Sequence, residues 1–207
     1  MKKKLKIIGS GTHSSVVIEC ALKLKYKIQF IVDINTNNPK KEKKMGVPIV
    51  GRKELNFIKK GELVFLAIGN NNIRSNFFKL LNKKYLKFIN LISPSSFVSD
   101  YSKLGKGVFV NNNSIINSRA NLEDNCIINS GSIIEHDVQV GKNTHICSGV
   151  SIGGNTTIGK DSFIGIGSSI LNNLTIGSKV TVGAGSVVTK NLPSNGKFAG
   201  SPAKKIK

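Results

Sequence analysis

Aliphatic residues recur at every sixth position through the second half of this 207-residue chain. The series begins Ile92, Val98, Leu104, Val110 and runs without exception to Ile176, Val182 and Val188, 17 hits in succession. In a chain that is 39% hydrophobic, such a run in one phase has a chance of roughly 10⁻⁷. A period of six matches neither the helical repeat nor simple strand alternation. It predicts short extended pieces joined by regular corners, a parallel β-helix built of hexapeptides. Three hexads close a triangular coil. At the ordinary strand spacing, the hexads from Leu104 onward stack into about five coils, a prism roughly 24 Å tall. The register never slips, so no loop interrupts it.

Two further positions of the hexad are constrained. The residue four after the aliphatic is mostly small or β-branched: Val108, Ser114, Ala120, Cys126, Ser132, Val138, Thr144 and so on to Ser186. A narrow interior requires this, and each coil buries its aliphatics against the next. The residue directly after the aliphatic is often Gly (Gly105, Gly141, Gly153, Gly159, Gly165, Gly177, Gly183) or Asn (Asn111, Asn117, Asn129). Both tolerate positive φ, so the chain is expected to turn there.

Residues 1–90 follow another pattern. Apolar runs at Leu5–Ile8, Ile28–Val32, Leu63–Ile68 and Leu86–Leu91 predict strands, and helical spacing covers Ser15–Leu24 and Ile73–Leu81. Strands alternating with helices imply a parallel α/β sheet. Gly9-Ser10-Gly11 follows the first strand, and Asp33 ends the second, as in a Rossmann phosphate loop with its ribose-binding acid. Ser14 replaces the third glycine, and the domain is short for a dinucleotide. A mononucleotide, such as half of a nucleotide sugar, fits better. The alternative is a tight strand-to-helix turn that binds nothing.

Together the halves resemble the hexapeptide-repeat sugar acetyltransferases that include the sialic acid O-acetyltransferases and the UDP-4-amino-sugar N-acetyltransferase of bacillosamine synthesis. The matching pieces are Gly9-Ser10-Gly11-Thr12-His13, Val32-Asp33, Gly46-Val47-Pro48-Ile49-Val50-Gly51, Ala67-Ile68-Gly69-Asn70 with Arg74, Ile134-Glu135-His136-Asp137, and the tail Gly200-Ser201-Pro202-Ala203-Lys204. One departure is Ser93, where many relatives carry His. The resemblance implies a Rossmann-like α/β N-terminal domain over 1–90 that binds a nucleotide sugar. It also implies an all-β left-handed parallel β-helix over 91–207 that carries acetyl transfer. The period alone does not give the handedness.

The chain has three histidines, His13, His136 and His145. Acetyl transfer from a thioester needs a base working near neutral pH, the task histidine suits. By resemblance His136 is the general base and Asp137 its polarising acid. Neighbours on a strand point to opposite faces, so a contact from Asp137 requires a corner, or another acid such as Glu135 takes its place. The resemblance further implies that His145, Gly154, Ile166 and Ala184 bind acetyl-CoA in a groove between subunits of a homotrimer. Gly9, Gly11, His13 and Asp33 would take the substrate. Residues 18 apart stack, which puts Ser148, Ile166 and Ala184 in one column and His136 with Gly154 in another. His145 ends its hexad and is expected at a corner. The reaction expected is direct N-acetylation of a nucleotide-linked amino sugar. O-acetylation of sialic acid or a related sugar, or a non-catalytic scaffold binding sugar or nucleic acid, are the competing readings.

Charge and cysteine content change this picture little. The net charge is +20, with 20 basic and 5 acidic residues in 1–90 against 11 and 6 in the rest. A basic face suits phosphate-rich substrates. Lys, Asn and Ile are abundant throughout, and no nucleic-acid motif or aromatic platform accompanies the charge. Lys40-Lys41-Glu42-Lys43-Lys44 reads as a solvated loop. Cys20, Cys126 and Cys147 are sparse and lack a CxxC pair, which points to a reducing compartment and no metal site. No apolar run is long enough to span a membrane, and the run after Met1-Lys2-Lys3-Lys4 is too short for a signal peptide. A cytoplasmic enzyme is expected.

Overall fold

A computed structural model describes residues 3–39 and 42–206. The chain divides into two compact units between Pro94 and Ser95.

The N-terminal unit is a sheet of β1 (Lys4–Ile8), β2 (Lys27–Val32), β3 (Lys43–Lys44), β4 (Val47–Val50), β5 (Leu63–Leu66) and β6 (Lys87–Phe88), with helices α1 (His13–Lys23) and α2 (Asn71–Asn82). The strand order is β3-β4-β2-β1-β5-β6, parallel except for the β3–β4 hairpin. One face buries Ile8, Val32, Val64 and Leu66 against Phe77 and Leu81 of α2. Lys6 lies within β1 and is neutralised by Glu62 at 2.7 Å. The segment Leu86–Leu91, expected as one strand, is broken: β6 joins this sheet, and Leu91–Ile92 is a separate strand. The basic segment is not a free loop, because Lys43 and Lys44 pair with Pro48 and Val47. Lys40 and Lys41 of that segment, with Met1 and Lys2, lie outside the described residues.

Strand order reverses at β1. The chain moves to β2 and β4 on one side and then returns to place β5 on the other. In open α/β sheets ligands bind beyond the carboxyl ends of strands at such a switch point. Here those ends carry Gly9–Gly11 after β1 and Ala67–Asn70 after β5.

The second unit is the parallel β-helix that the six-residue period predicts. Up to Val188 the strands pair in parallel with residues 18 further on, as in Ile115↔Ile133 and Ile133↔Ser151. The first face holds Phe109–Val110, Ile127–Ile128, His145–Ile146, Phe163–Ile164 and Thr181–Val182. The second face runs from Phe97–Val98 to Val187–Val188, and the third from Lys103–Leu104 to Thr175–Ile176. From Val110 to Val188 every aliphatic of the series is at most 3% exposed. Each such side chain contributes about 1.5–3 kcal/mol by leaving water.

The second inward column is buried as expected, Leu174 excepted. Its hydroxyls bind one coil to the next. Ser114 Oγ donates to the Asn129 carbonyl (2.8 Å), Ser132 to Cys147 (2.8 Å), Thr144 to Gly159 (3.0 Å) and Ser168 to Gly183 (2.9 Å). A polar group inside the prism thus finds its partner fifteen residues ahead, which removes the cost of burying it.

The turn position differs from expectation. Positive φ falls three residues after the aliphatic, at Asn113, Arg119, Asn125, Asp137, Asn143, Asn155, Asp161 and Asn173, and at Gly131, Gly149, Gly167 and Gly185. The glycines directly after the aliphatics serve close approach instead. A Cβ on Gly141 would lie 2.6 Å from Lys160 N, and one on Gly153 would lie 2.5 Å from Asn172 N. The stacked backbone therefore selects glycine there by space, not by dihedral angle.

The tail closes the stack. Lys197–Ala199 adds in parallel to Thr181–Val182, and Lys204–Ile206 folds back antiparallel upon it. Between them Ala203 N donates to the Val187 carbonyl at 2.8 Å.

Candidate active site

The corner between the second and third faces brings together four residues of interest. His136 is the second residue of the corner that follows Ile134, and Asp137 is the third, at φ +62°. That left-handed turn lets consecutive side chains meet. His136 Nδ1 lies 2.8 Å from Asp137 Oδ2. The acid is therefore Asp137 and not Glu135, whose Oε2 instead accepts from Asn117 Nδ2 at 3.0 Å.

Arg119 stands 18 residues before Asp137 in the same column. Its Nε donates to Asp137 Oδ1 at 2.6 Å and its Nη2 to Oδ2 at 2.8 Å. The Arg119 guanidinium, and after it the His136 ring, hold the Asp137 carboxyl well below the usual carboxylate range. An ionised carboxylate only accepts. Nδ1 of His136 must then carry the proton, and Nε2 keeps its lone pair for a substrate.

Gly154, 18 residues after His136, is buried beneath the imidazole. A Cβ there would stand 2.7 Å from both Cε1 and Nε2. It is the seat of the ring. The His136 side chain remains 55% exposed. Beside this corner, a groove of about 360 Å³ runs on the second face, lined by Ile133, Glu135, Ser151, Ser169 and Leu171.

Ile166 and Ala184 occupy a different corner, between the first and second faces. Both are exposed, and the backbone stacks them over Ser148: Gly167 N donates to Ser148 O at 2.9 Å and Gly185 N to Ile166 O at 2.8 Å. A Cβ on Gly131, Gly167 or Gly185 would meet open space. These corner glycines leave the backbone accessible to a slender chain such as pantetheine, so the residues fit acetyl-CoA. Their signal in the sequence was a glycine every 18 residues, one position beyond the Ile166–Ala184 column.

His145 is not at a corner. It lies on the strand His145–Ile146, is 8% exposed, and meets Phe163 edge-on at 5.2 Å between ring centroids. Burial pushes the Cys147 thiol up to about 11, which disfavours the thiolate that a nucleophile needs. Among the described residues, no group of three or more His, Cys, Asp or Glu could hold a metal ion. No helix among them is long and apolar enough to cross a membrane.

In the N-terminal unit, Gly9 (φ +109°) donates to the Val32 carbonyl, and a Cβ on it would reach Ala67 O at 2.7 Å. Its role is close packing of the β1 and β5 ends. Gly11 faces open space. Asp33 directly follows β2, where its Oδ1 accepts from Asn35 N at 2.8 Å. His13 begins α1 against Gly69 of the β5 loop. Burial first, and then the Arg74 charge, bring its pKa down to about 4. Arg74 is 1% exposed and clamps that loop, donating to the Ile68 and Gly69 carbonyls at 3.1 and 2.9 Å.

Two residues here carried no site role in the sequence reading. Arg119 was identifiable only by counting 18 back from Asp137. Lys44 reaches across from the hairpin, its Nζ donating to Ser10 O (2.6 Å), Gly11 O (2.8 Å) and Ser14 Oγ (2.9 Å). No sequence periodicity connects it to the glycine loop.

Residues 4–81 match the PglD N-terminal domain, and residues 119–154 and 155–190 match the bacterial transferase hexapeptide repeats. The chain is similar to the perosamine N-acetyltransferase PerB of Caulobacter crescentus, solved with CoA and GDP-perosamine. Identity is 31% and the TM-score 0.91, over 99% of this chain and 97% of that one. It is equally similar to the acetyltransferase domain of PglB from Neisseria gonorrhoeae, solved with acetyl-CoA: 32% identity and TM-score 0.92 over the whole of both chains. WeeI from Acinetobacter baumannii, at 20% identity and TM-score 0.63, shares the fold. Among curated proteins none matches the chain. The chain belongs to the acyltransferase family in which a PglD-type Rossmann-like domain precedes a left-handed β-helix of hexapeptide repeats.

Proposed function

We propose that this enzyme transfers the acetyl group of acetyl-CoA to the amine of a nucleotide-linked amino sugar. The observation that carries the reading is the His136–Asp137 pair seated over Gly154 on a prism corner. PerB, similar over nearly the whole chain, holds CoA and GDP-perosamine. The sugar nucleotide is of UDP type, as the family resemblance implies, or of GDP type, as in that complex.

His136 Nε2 accepts the proton of the amine as nitrogen attacks the acetyl carbonyl. The C–N bond forms, the C–S bond breaks, and the imidazolium returns the proton to the departing sulfur. No acyl-enzyme is needed. Asp137 fixes the tautomer. Ile166 and Ala184, at the glycine-lined corner, take the pantetheine arm, and His145 on the adjoining face contacts the same ligand. Gly9, Gly11, His13 and Asp33 frame the nucleotide at the switch point, where the Gly11 face is open. His136 and the Ile166–Ala184 column stand at different corners of the triangle. One site containing both therefore draws on two chains, which favours the homotrimer.

The test is thiol release from acetyl-CoA with UDP-, GDP- and dTDP-linked amino sugars, free amino sugars and sialic acid. Release with a nucleotide amino sugar alone is expected. Release with free sialic acid alone would indicate O-acetylation, and no release together with DNA binding would indicate a scaffold.

A further inference from the structure

We propose that Arg119 is a positioning residue for acetyl transfer: its guanidinium clamps the Asp137 carboxylate in the plane that holds His136, so that Nε2 stays aimed at the substrate amine. This rests on the reading of His136 as general base. The two-pronged contact occupies both carboxylate oxygens, and Oδ2 is shared between Arg119 Nη2 and His136 Nδ1, each at 2.8 Å. A carboxylate held only by the imidazole could rotate about its own bond. One pinned by a planar fork cannot do so without breaking two charge-assisted hydrogen bonds.

The other corners of the prism show what an ordinary column looks like. Between the third and first faces, Asn125, Asn143 and Asp161 share the same left-handed turn and simply pass hydrogen bonds upward, each 2.8 Å. The His136 corner replaces such an amide ladder with an ion pair that ends on the histidine's acid. The Arg119 side chain is 72% exposed, and an exposed ion pair adds little to folding. Stability therefore does not explain the arginine.

Arg119 is the cation that touches this acid. The ionisable groups on the corner are Arg119, Asp137, His136, Glu135 with its oxygen on Asn117, Asp100 and Tyr101 two coils below, and Lys190 three coils above His136. Of these, Arg119 contacts both Asp137 oxygens and keeps the carboxylate ionised.

The experiment compares Arg119→Ala, Arg119→Lys, Asp137→Asn and His136→Ala, with kcat and both KM values measured for each. Arg119→Ala should lower kcat about tenfold through loss of orientation and leave both KM values within about twofold. Its melting temperature should stay within about two degrees. Arg119→Lys should recover only part of kcat, because it returns the charge without the fork. In an Asp137→Asn background, Arg119→Ala should cause no further loss in kcat. An unchanged kcat would reduce Arg119 to a surface ion pair. A raised KM for acetyl-CoA at unchanged kcat would make it a phosphate contact. Either result overturns the proposal while His136→Ala remains inactive. If His136→Ala itself stays active, the general-base reading fails first, and this one with it.

Discussion

His136 and His13 are both histidines set beside a charged partner, and the partners have opposite sign. On the prism corner, the imidazole of His136 is half exposed over Gly154 and hydrogen-bonds an ionised aspartate. In the N-terminal unit, His13 is packed at the start of α1 near the buried Arg74, and its pKa is pushed down to about 4. The first arrangement sets a carboxylate behind a half-exposed ring, as the proposed base requires. The second keeps a neutral ring beside a fixed cation, where it can bind a phosphate-bearing ligand but gains nothing from an acid. The same residue type is thus given two environments by the charge next to it and by how much water reaches it.

Asp137→Asn attacks the first half of that contrast and should have the largest effect of the three changes considered next. An amide offers one acceptor, and the Arg119 donors compete for it. The amide nitrogen is then turned toward His136 Nδ1, which selects the wrong tautomer. A loss in kcat of about 10²-fold or more is expected, read by steady-state thiol release with the melting temperature as control. Activity within a few fold of wild type would mean that Asp137 does not set the tautomer.

Gly154→Ala sharpens the same point through sterics alone. The backbone there tolerates alanine, but its methyl would stand 2.7 Å from the ring. Displacing the imidazole should cost about tenfold or more in kcat, while overpacking costs about 1 kcal/mol of stability. A full-speed, stable Gly154→Ala enzyme would show that the ring position is not critical.

The smallest effect concerns His13. Its folded pKa of about 4 lies below the ordinary 6.5. Between those values the unfolded chain binds a proton that the folded chain refuses, so stability falls as pH drops through that window. His13→Gln should remove this component, roughly 2 kcal/mol after allowance for its partial exposure. Urea unfolding at pH 7 and pH 4.5 gives the comparison. Equal pH slopes for the two proteins would contradict the burial argument.

The two units also differ in how far their sequences could be read. In the β-helix a single period places the aliphatic row, the inward hydroxyls and the corner residues, because each coil repeats the environment of the last. Even so, the turn falls at a different hexad position from the one composition suggests. At Gly141 and Gly153, glycine after the aliphatic answers to a backbone nitrogen 2.6 and 2.5 Å from where its Cβ would be, and composition does not distinguish that from a need for positive φ. His145 shows the same difference: it is expected at a corner and instead opens the strand His145–Ile146. Arg119 was hidden because its partner is one coil away. In the N-terminal unit the strands and helices were visible, but the contacts made by Lys44 and Arg74 depend on loop paths that no period encodes.

The central claim is that His136 is the base for acetyl transfer. The most direct measurement is kcat for His136→Ala beside wild type, with a nucleotide-linked amino sugar and saturating acetyl-CoA, and with acetyl-CoA affinity measured separately. The structure predicts a fall of about 10²–10⁴-fold in kcat with acetyl-CoA affinity and melting temperature essentially unchanged. Turnover within a few fold of wild type in a folded, acetyl-CoA-binding variant would contradict it.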